Sequence, residues 1–278
     1  MERGPGGEPG GLGAGNLLGP LWRSYRGAAL NEALPGRAAG PSGWGCYCIE
    51  SQIPLPAHSA DRATVRERLL ADLTLLRGIG GRTRDVLKER GWDTIRGLLG
   101  HRRYQAEATH FLELLERGEA VRVINWLRRW RPPSDPLLFH CSSLHHPGGM
   151  VVMDIETLRL AVDRPVILIG VGRSSDGSLK IYQYLARHAG EEAAVLRAFL
   201  SQMDRDSFLV TFNGQSFDVP FPKGRLAHWG MRGLPELPHH DLLPFVRRAW
   251  GGTWPTAACP LWRSTCSVSK GTGMCRGS

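Results

Sequence analysis

Asp154 and Glu156 stand one residue apart at the end of the apolar run Val151-Val152-Met153. On a β-strand, positions i and i+2 project from the same face, so the two carboxylates are expected side by side. Anions that close repel, and the repulsion is relieved by a shared proton or a cation. Hard oxygen donors favour Mg²⁺ or Mn²⁺, and two such ions about 3.5–4 Å apart stabilise the attacking and leaving oxygens in phosphodiester hydrolysis. A second group, Phe212-Asn213-Gly214-Gln215-Ser216-Phe217-Asp218, follows another apolar run and supplies a third carboxylate. Read alone, Asn213-Gly214 is a simple turn, and Asp218 before Val219-Pro220 is also a good helix N-cap.

These residues need strands to carry them. From Met150 onward the pattern alternates strand and helix, with strands predicted over 151–154, 166–171, 179–185 and 208–212 and an amphipathic helix over 191–203. Asp176-Gly177 predicts a tight hairpin between the second and third strands. Three antiparallel strands, a helix and a further strand open an α/β fold of the ribonuclease H type, a mixed sheet with later parallel additions. Pro222 and Gly224 predict an irregular helix after Asp218.

Several separated motifs in order carry a resemblance. Asp154-Ile155-Glu156-Thr157, Ile169-Gly170-Val171-Gly172, Gln183-Tyr184-Leu185-Ala186, Glu191-Glu192, Thr211-Phe212-Asn213-Gly214, Phe217-Asp218-Val219-Pro220 and His240-Asp241 resemble the YprB-type ribonuclease H-like domain within the DEDD exonuclease superfamily. The resemblance covers about residues 150–250. It implies a metal-dependent 3'-5' exonuclease with two ions on Asp154, Glu156 and Asp218, Glu156 also meeting the terminal nucleotide or the attacking water. Asn213 would orient the substrate backbone or the Asp218 loop, and Asp241 would be structural or catalytic. A single-stranded nucleic-acid end is the implied substrate. The fourth carboxylate of such enzymes lies on a later helix, whereas no Asp or Glu follows Trp250 here.

The stretch before this domain is different. Residues 1–45 are rich in Gly, Pro, Ala and Arg and predict a flexible leader; the glycines of 10–15 lack the Gly-Lys-Ser/Thr of a phosphate loop. Residues 61–130 carry helical periodicity, and within 75–91 the sequence Arg77-Gly78-Ile79-Gly80-Gly81-Arg82 looks like a helix-hairpin-helix element. In such a turn Gly78 and Gly80 let backbone amides approach a phosphate, and Arg82 adds positive charge. Residues 131–149, broken by Pro132, Pro133, Pro136 and Pro147, predict a linker that leaves His140, His145 and His146 exposed.

Composition supports this assignment. The formal net charge is +9, and with four lysines among 35 basic residues nearly all of it is arginine, a side chain matched to phosphate. No run reaches the roughly 20 apolar residues of a membrane span, and there is no secretory-type N-terminus, so a soluble, cytoplasmic protein is expected. The six cysteines lack zinc-ligand spacing and are read as reduced thiols. Residues 253–278 show no periodicity; read out of frame with suitable codons they resemble the family's continuation, so a frameshift near Trp254 and a nuclease weakened by its missing ligand are expected. The competing expectations are a non-catalytic nucleic-acid-binding protein that uses the hairpin, and a non-functional fragment.

Overall fold

A computed structural model describes residues 27–40, 45–55, 61–157 and 164–251. The glycine run 10–15 and the tail 253–278 lie outside the described residues. Strand β3 (Met150–Thr157) pairs antiparallel with β4 (Val166–Ser175), which turns back into β5 (Ser178–Leu185). The β4–β5 turn is the expected Asp176-Gly177, with φ of 47° and 74°; paired left-handed residues match the twist of a two-residue hairpin. Helix α7 (Glu192–Leu200) follows, preceded by a 3₁₀ turn at Ala189–Glu191, and returns the chain to β6 (Phe208–Thr211), which lies parallel to β3. After α8 (Pro220–His228) the short strand β7 (His239–Asp241) adds parallel to β6, and α9 (Leu243–Trp250) follows.

Besides β7, two more strands that the sequence reading left unassigned complete the sheet. β1 (Arg37–Ala39) and β2 (Cys46–Pro54) precede the helical region, yet β2 pairs antiparallel with β5 from Tyr47↔Leu185 to Pro54↔Ser178. Among the described residues the order is β1-β2-β5-β4-β3-β6-β7. Only the first three residues of β2 are buried, so it lacks the sustained alternation that reveals a strand in sequence. The sheet's core holds Val151, Met153, Ile155, Ile169 and Val171 with Val195, Leu196 and Phe199 of α7 and Phe221 and Leu226 of α8.

Helices α2 (Arg62–Ala71), α3 (Gly81–Glu89), α4 (Gln105–Glu116) and α5 (Ala120–Leu127) bury a separate core that includes Leu69, Leu73, Leu75, Ile95, Phe111 and Leu127. The stretch 131–149 is packed rather than a linker. Asp135 caps α6 (Pro136–His140) by accepting from the Leu137 amide at 2.9 Å, and Leu138, Cys141 and Leu144 join the helical core. Pro136 and Pro147 start short helices, the position where a missing amide costs nothing. His145 is likewise not an exposed loop residue: its Nε2 lies 3.2 Å from that of the buried His240, and its ring stacks on Phe208.

α8 runs regularly through Pro222 and Gly224. Pro222 falls in its first turn, where the lost N–H is one of the unpaired donors of any helix start. The described residues from 38 to 251 belong to one compact unit, and helix α1 (Leu30–Ala33) belongs to another. Among the described residues Cys46, Cys48 and Cys141 are buried and form no disulfide, and no helix is long and apolar enough to cross a membrane.

Candidate functional site

Along β3 burial alternates, so Met153 and Ile155 enter the core while Asp154 and Glu156 face outward together. Directly across the ladder from Asp154 is Gly170 of β4. Opposed residues on antiparallel strands share a face, and the absent side chain leaves room beside the aspartate. Gln183 of β5 is the next exposed residue across from Gly170. Asp154 is exposed at its surface, yet the protein around it desolvates the carboxylate and raises its pKa. Glu156 is raised by desolvation and then by the charge of Asp154.

Asp218 reaches the same strand from the far side of the sequence. Its buried carboxyl accepts from the Ile155 amide at 3.1 Å, between the two outward carboxylates. Burial, then the charge of Asp154, lifts its pKa to about 6 against the opposing pull of the Ile155 hydrogen bond. The helix N-cap is Val219, with no side-chain capping bond, so Asp218 serves β3 rather than the helix it precedes.

The turn that delivers Asp218 is tightly determined. Asn213 has φ 66°, a left-handed conformation that asparagine tolerates better than most residues. A Cβ on Gly214 would lie 2.5 Å from the Thr211 side chain, so only glycine fits there. The Val219 amide donates to Gly214 O at 2.9 Å and closes the turn. Asp241 fixes its beginning: the carboxylate accepts from the amides of Asn213 at 2.8 Å, Gln215 at 3.1 Å and Leu243 at 3.0 Å. Beside it, Thr211 Oγ1 and His239 Nε2 are 2.7 Å apart.

Behind the turn, α8 is anchored by a buried ion pair. Arg225 donates through Nε and Nη2 to the two Glu192 oxygens at 2.7 and 2.6 Å, and Trp229 Nε1 and the Val166 amide also donate to that carboxylate. Desolvation raises the Glu192 pKa, but the hydrogen bonds from Arg225, Trp229 and Val166 outweigh it and hold the group below its usual value. A fully bonded pair keeps its charge when buried, so the network joins α7, α8 and the start of β4 behind Asp218.

The structure therefore brings Asp154, Glu156, Asp218, Asn213 and Asp241 to the C-terminal ends of the parallel strands β3, β6 and β7, the edge where open α/β sheets bind ligands. The donors suit a hard divalent cation, being carboxylate oxygens whose desolvation and mutual repulsion a positive charge would relieve. Asp218 spends one oxygen on Ile155, and among the described residues no three His, Cys, Asp or Glu side chains are gathered into a metal-holding group.

Gly78, Gly80 and Arg82 lie elsewhere, on the helical region. A 3₁₀ turn at Leu73–Leu75 leads into a hairpin in which the Ile79 amide donates to Leu76 O at 3.2 Å and Gly78 has φ 80°. Buried Ile79 pins the loop, Gly80 is the uncapped N-cap of α3, and Arg82 is exposed. Trp126 Nε1 donates to Leu75 O at 2.8 Å and ties α5 to the hairpin. The sequence reading missed Gly170, Gln183 and the Glu192–Arg225 pair. Only their strand register and helix packing reveal them, although Gly170, Gln183 and Glu192 fell within motifs already noted.

Comparison with known proteins bears on the same segment. Residues 151–258 match the family model RNase_H_2 of the RNase_H superfamily. The chain is also 34% identical over 110 residues to the uncharacterized protein YprB of Bacillus subtilis (strain 168), a match that covers 38% of this chain and 26% of the relative.

Proposed function

Because residues 151–258 are a YprB-type ribonuclease H-like domain, we propose that this protein is a metal-dependent nuclease that trims nucleic acid from a single-stranded 3' end. The observation that carries the reading is the Asp218 carboxyl hydrogen-bonded to the amide of Ile155, the residue between Asp154 and Glu156, with the charge of Asp154 among the causes that raise both Asp218 and Glu156. Asp154, Glu156 and Asp218 would hold Mg²⁺ or Mn²⁺, which supplies charge stabilisation to the phosphoryl oxygens and lowers the pKa of an attacking water. Glu156, outward and with a raised pKa, accepts a hydrogen bond from that water and orients it toward phosphorus. Asn213 faces the substrate backbone from a loop that Asp241 keeps in place. The space over Gly170 admits the terminal nucleotide.

The test is release of nucleotides from a 5'-labelled single-stranded oligonucleotide with and without Mg²⁺. Cleavage that requires the metal and disappears in both Asp154→Ala and Asp218→Ala supports the nuclease. Equal cleavage by wild type and Asp154→Ala would sink it. The second reading, a non-catalytic nucleic-acid binder, is favoured by the hairpin, where a Cβ on Gly80 or Gly81 would meet open space and nothing obstructs a phosphate. Retained binding with no cleavage under any divalent metal selects it.

A further inference from the structure

Between the hairpin and the chain leaving α5 lies an open groove of about 740 Å³. Its lining combines Gly80 and Gly81 of the hairpin with Arg68, Arg84 and Lys88 on one side and Trp130 and Arg131 on the other. Asp72 is the carboxylate facing these four cations. It is bound to Arg131, whose guanidinium also bonds Thr74 Oγ1 at 2.6 Å. That wall is therefore fixed; Arg84 is also paired, its Nε donating to Asp85 Oδ1 at 2.8 Å, so Arg68 and Lys88 supply the groove's excess of positive charge. Trp130 remains 43% exposed and lines the groove, which leaves indole surface there for a flat partner.

We infer that this groove binds one unpaired nucleotide of a single-stranded nucleic acid, its base stacked on Trp130 and its phosphate among Lys88, Arg68 and the hairpin glycines. This rests on the nucleic-acid reading of the chain but not on catalysis. The volume falls in the range of small-ligand sites, about 300–1,000 Å³, a size that suits a single nucleotide. A base inside a duplex is already stacked on its neighbours, so an indole face selects unpaired bases, while cations alone do not discriminate. The site would thus hold an unpaired strand independently of the carboxylate centre.

Fluorescence anisotropy of the full chain in EDTA, where no cleavage occurs, tests this with oligo-dT, oligo-U and a DNA duplex as probes. Trp130→Ala should weaken binding of both single strands by about fivefold or more, with duplex binding changed less than twofold. Trp130→Phe should restore most of the loss. Lys88→Ala should weaken all three probes and lower the slope of log affinity against log salt by about one. Loss on one single strand alone still supports the groove and identifies its sugar preference. Unchanged single-strand affinity in Trp130→Ala, or an equal loss on the duplex, overturns the inference. Because binding is read without metal, that failure is distinct from failure of the nuclease reading, which Asp154→Ala addresses.

Discussion

Asp218 is the residue on which the candidate site depends most, because it is buried, bonded to β3 and electrostatically opposed by Asp154. Its pKa rises from 3.8 to about 6. A folded-state value above the unfolded one means the folded protein binds that proton more tightly. The stabilisation is complete below about pH 4 and is lost as pH climbs through about 6. Asp218→Asn keeps an oxygen for the Ile155 amide without the charge. It should raise the urea midpoint at pH 7 in EDTA, by about 1–3 kcal/mol in stability, and remove the gain that the carboxyl contributes as pH falls from 7 to 4, so that acidification lowers the variant's midpoint more than the wild type's. Added Mg²⁺ should stabilise the wild type and not the variant. A variant less stable than wild type at pH 7 would show that the charge is already compensated. The pair Asp154 and Glu156 was legible in sequence because strand periodicity alone puts i and i+2 on one face; the direction of Asp218 was not, since an aspartate before Val219-Pro220 reads equally well as a cap.

At the scale of elements, the turn and the helix that hold Asp218 are separately vulnerable. Gly214→Ala places a methyl carbon 2.5 Å from Thr211, which forces the end of β6 to shift. The expected cost is about 1–3 kcal/mol with a larger loss of any metal-dependent cleavage, checked by denaturation and nuclease assay together. Glu192→Ala leaves Arg225 buried without its carboxylate, and the expected destabilisation is about 3–5 kcal/mol. Glu192→Gln should recover part of it by keeping the acceptor for Trp229 or Val166. An Ala variant as stable as wild type would show that water replaces the network. β3 to β6 were readable because their apolar runs are bounded by turn residues. β2 was not, because its exposed second half pairs with β5 across more than a hundred residues of intervening chain.

For the molecule as a whole, the helical region and the sheet meet within one compact unit. Arg128 Nη2 donates to His239 O at 2.8 Å, and His145 contacts His240. Burial is the leading cause that depresses His145 to about 4 and His240 to about 3, with His145, Arg128 and His239 adding positive potential at His240. Depressed folded values place the sign opposite to that of Asp218. This stabilisation is present above the unfolded value near 6.5 and is lost as pH falls toward 4 and then 3. The wild-type midpoint should therefore drop between pH 7 and 5, and His240→Ala should lower the midpoint at pH 7 while shrinking that drop. An undiminished drop would assign the acid sensitivity to other groups.

The sequence by itself determined the type of sheet, the paired outward carboxylates of β3, the β4–β5 turn and the arginine-rich charge, because each follows from local periodicity, turn chemistry or composition. Tertiary structure decided the rest. Strand register set Gly170 opposite Asp154, and the packing of α8 turned Asp218 onto Ile155. Non-local pairing recruited β2 into the sheet, and the fold of residues 131–149 buried Cys141 and placed His145 against His240. Each depends on contacts between residues far apart in the chain, which local pattern does not encode.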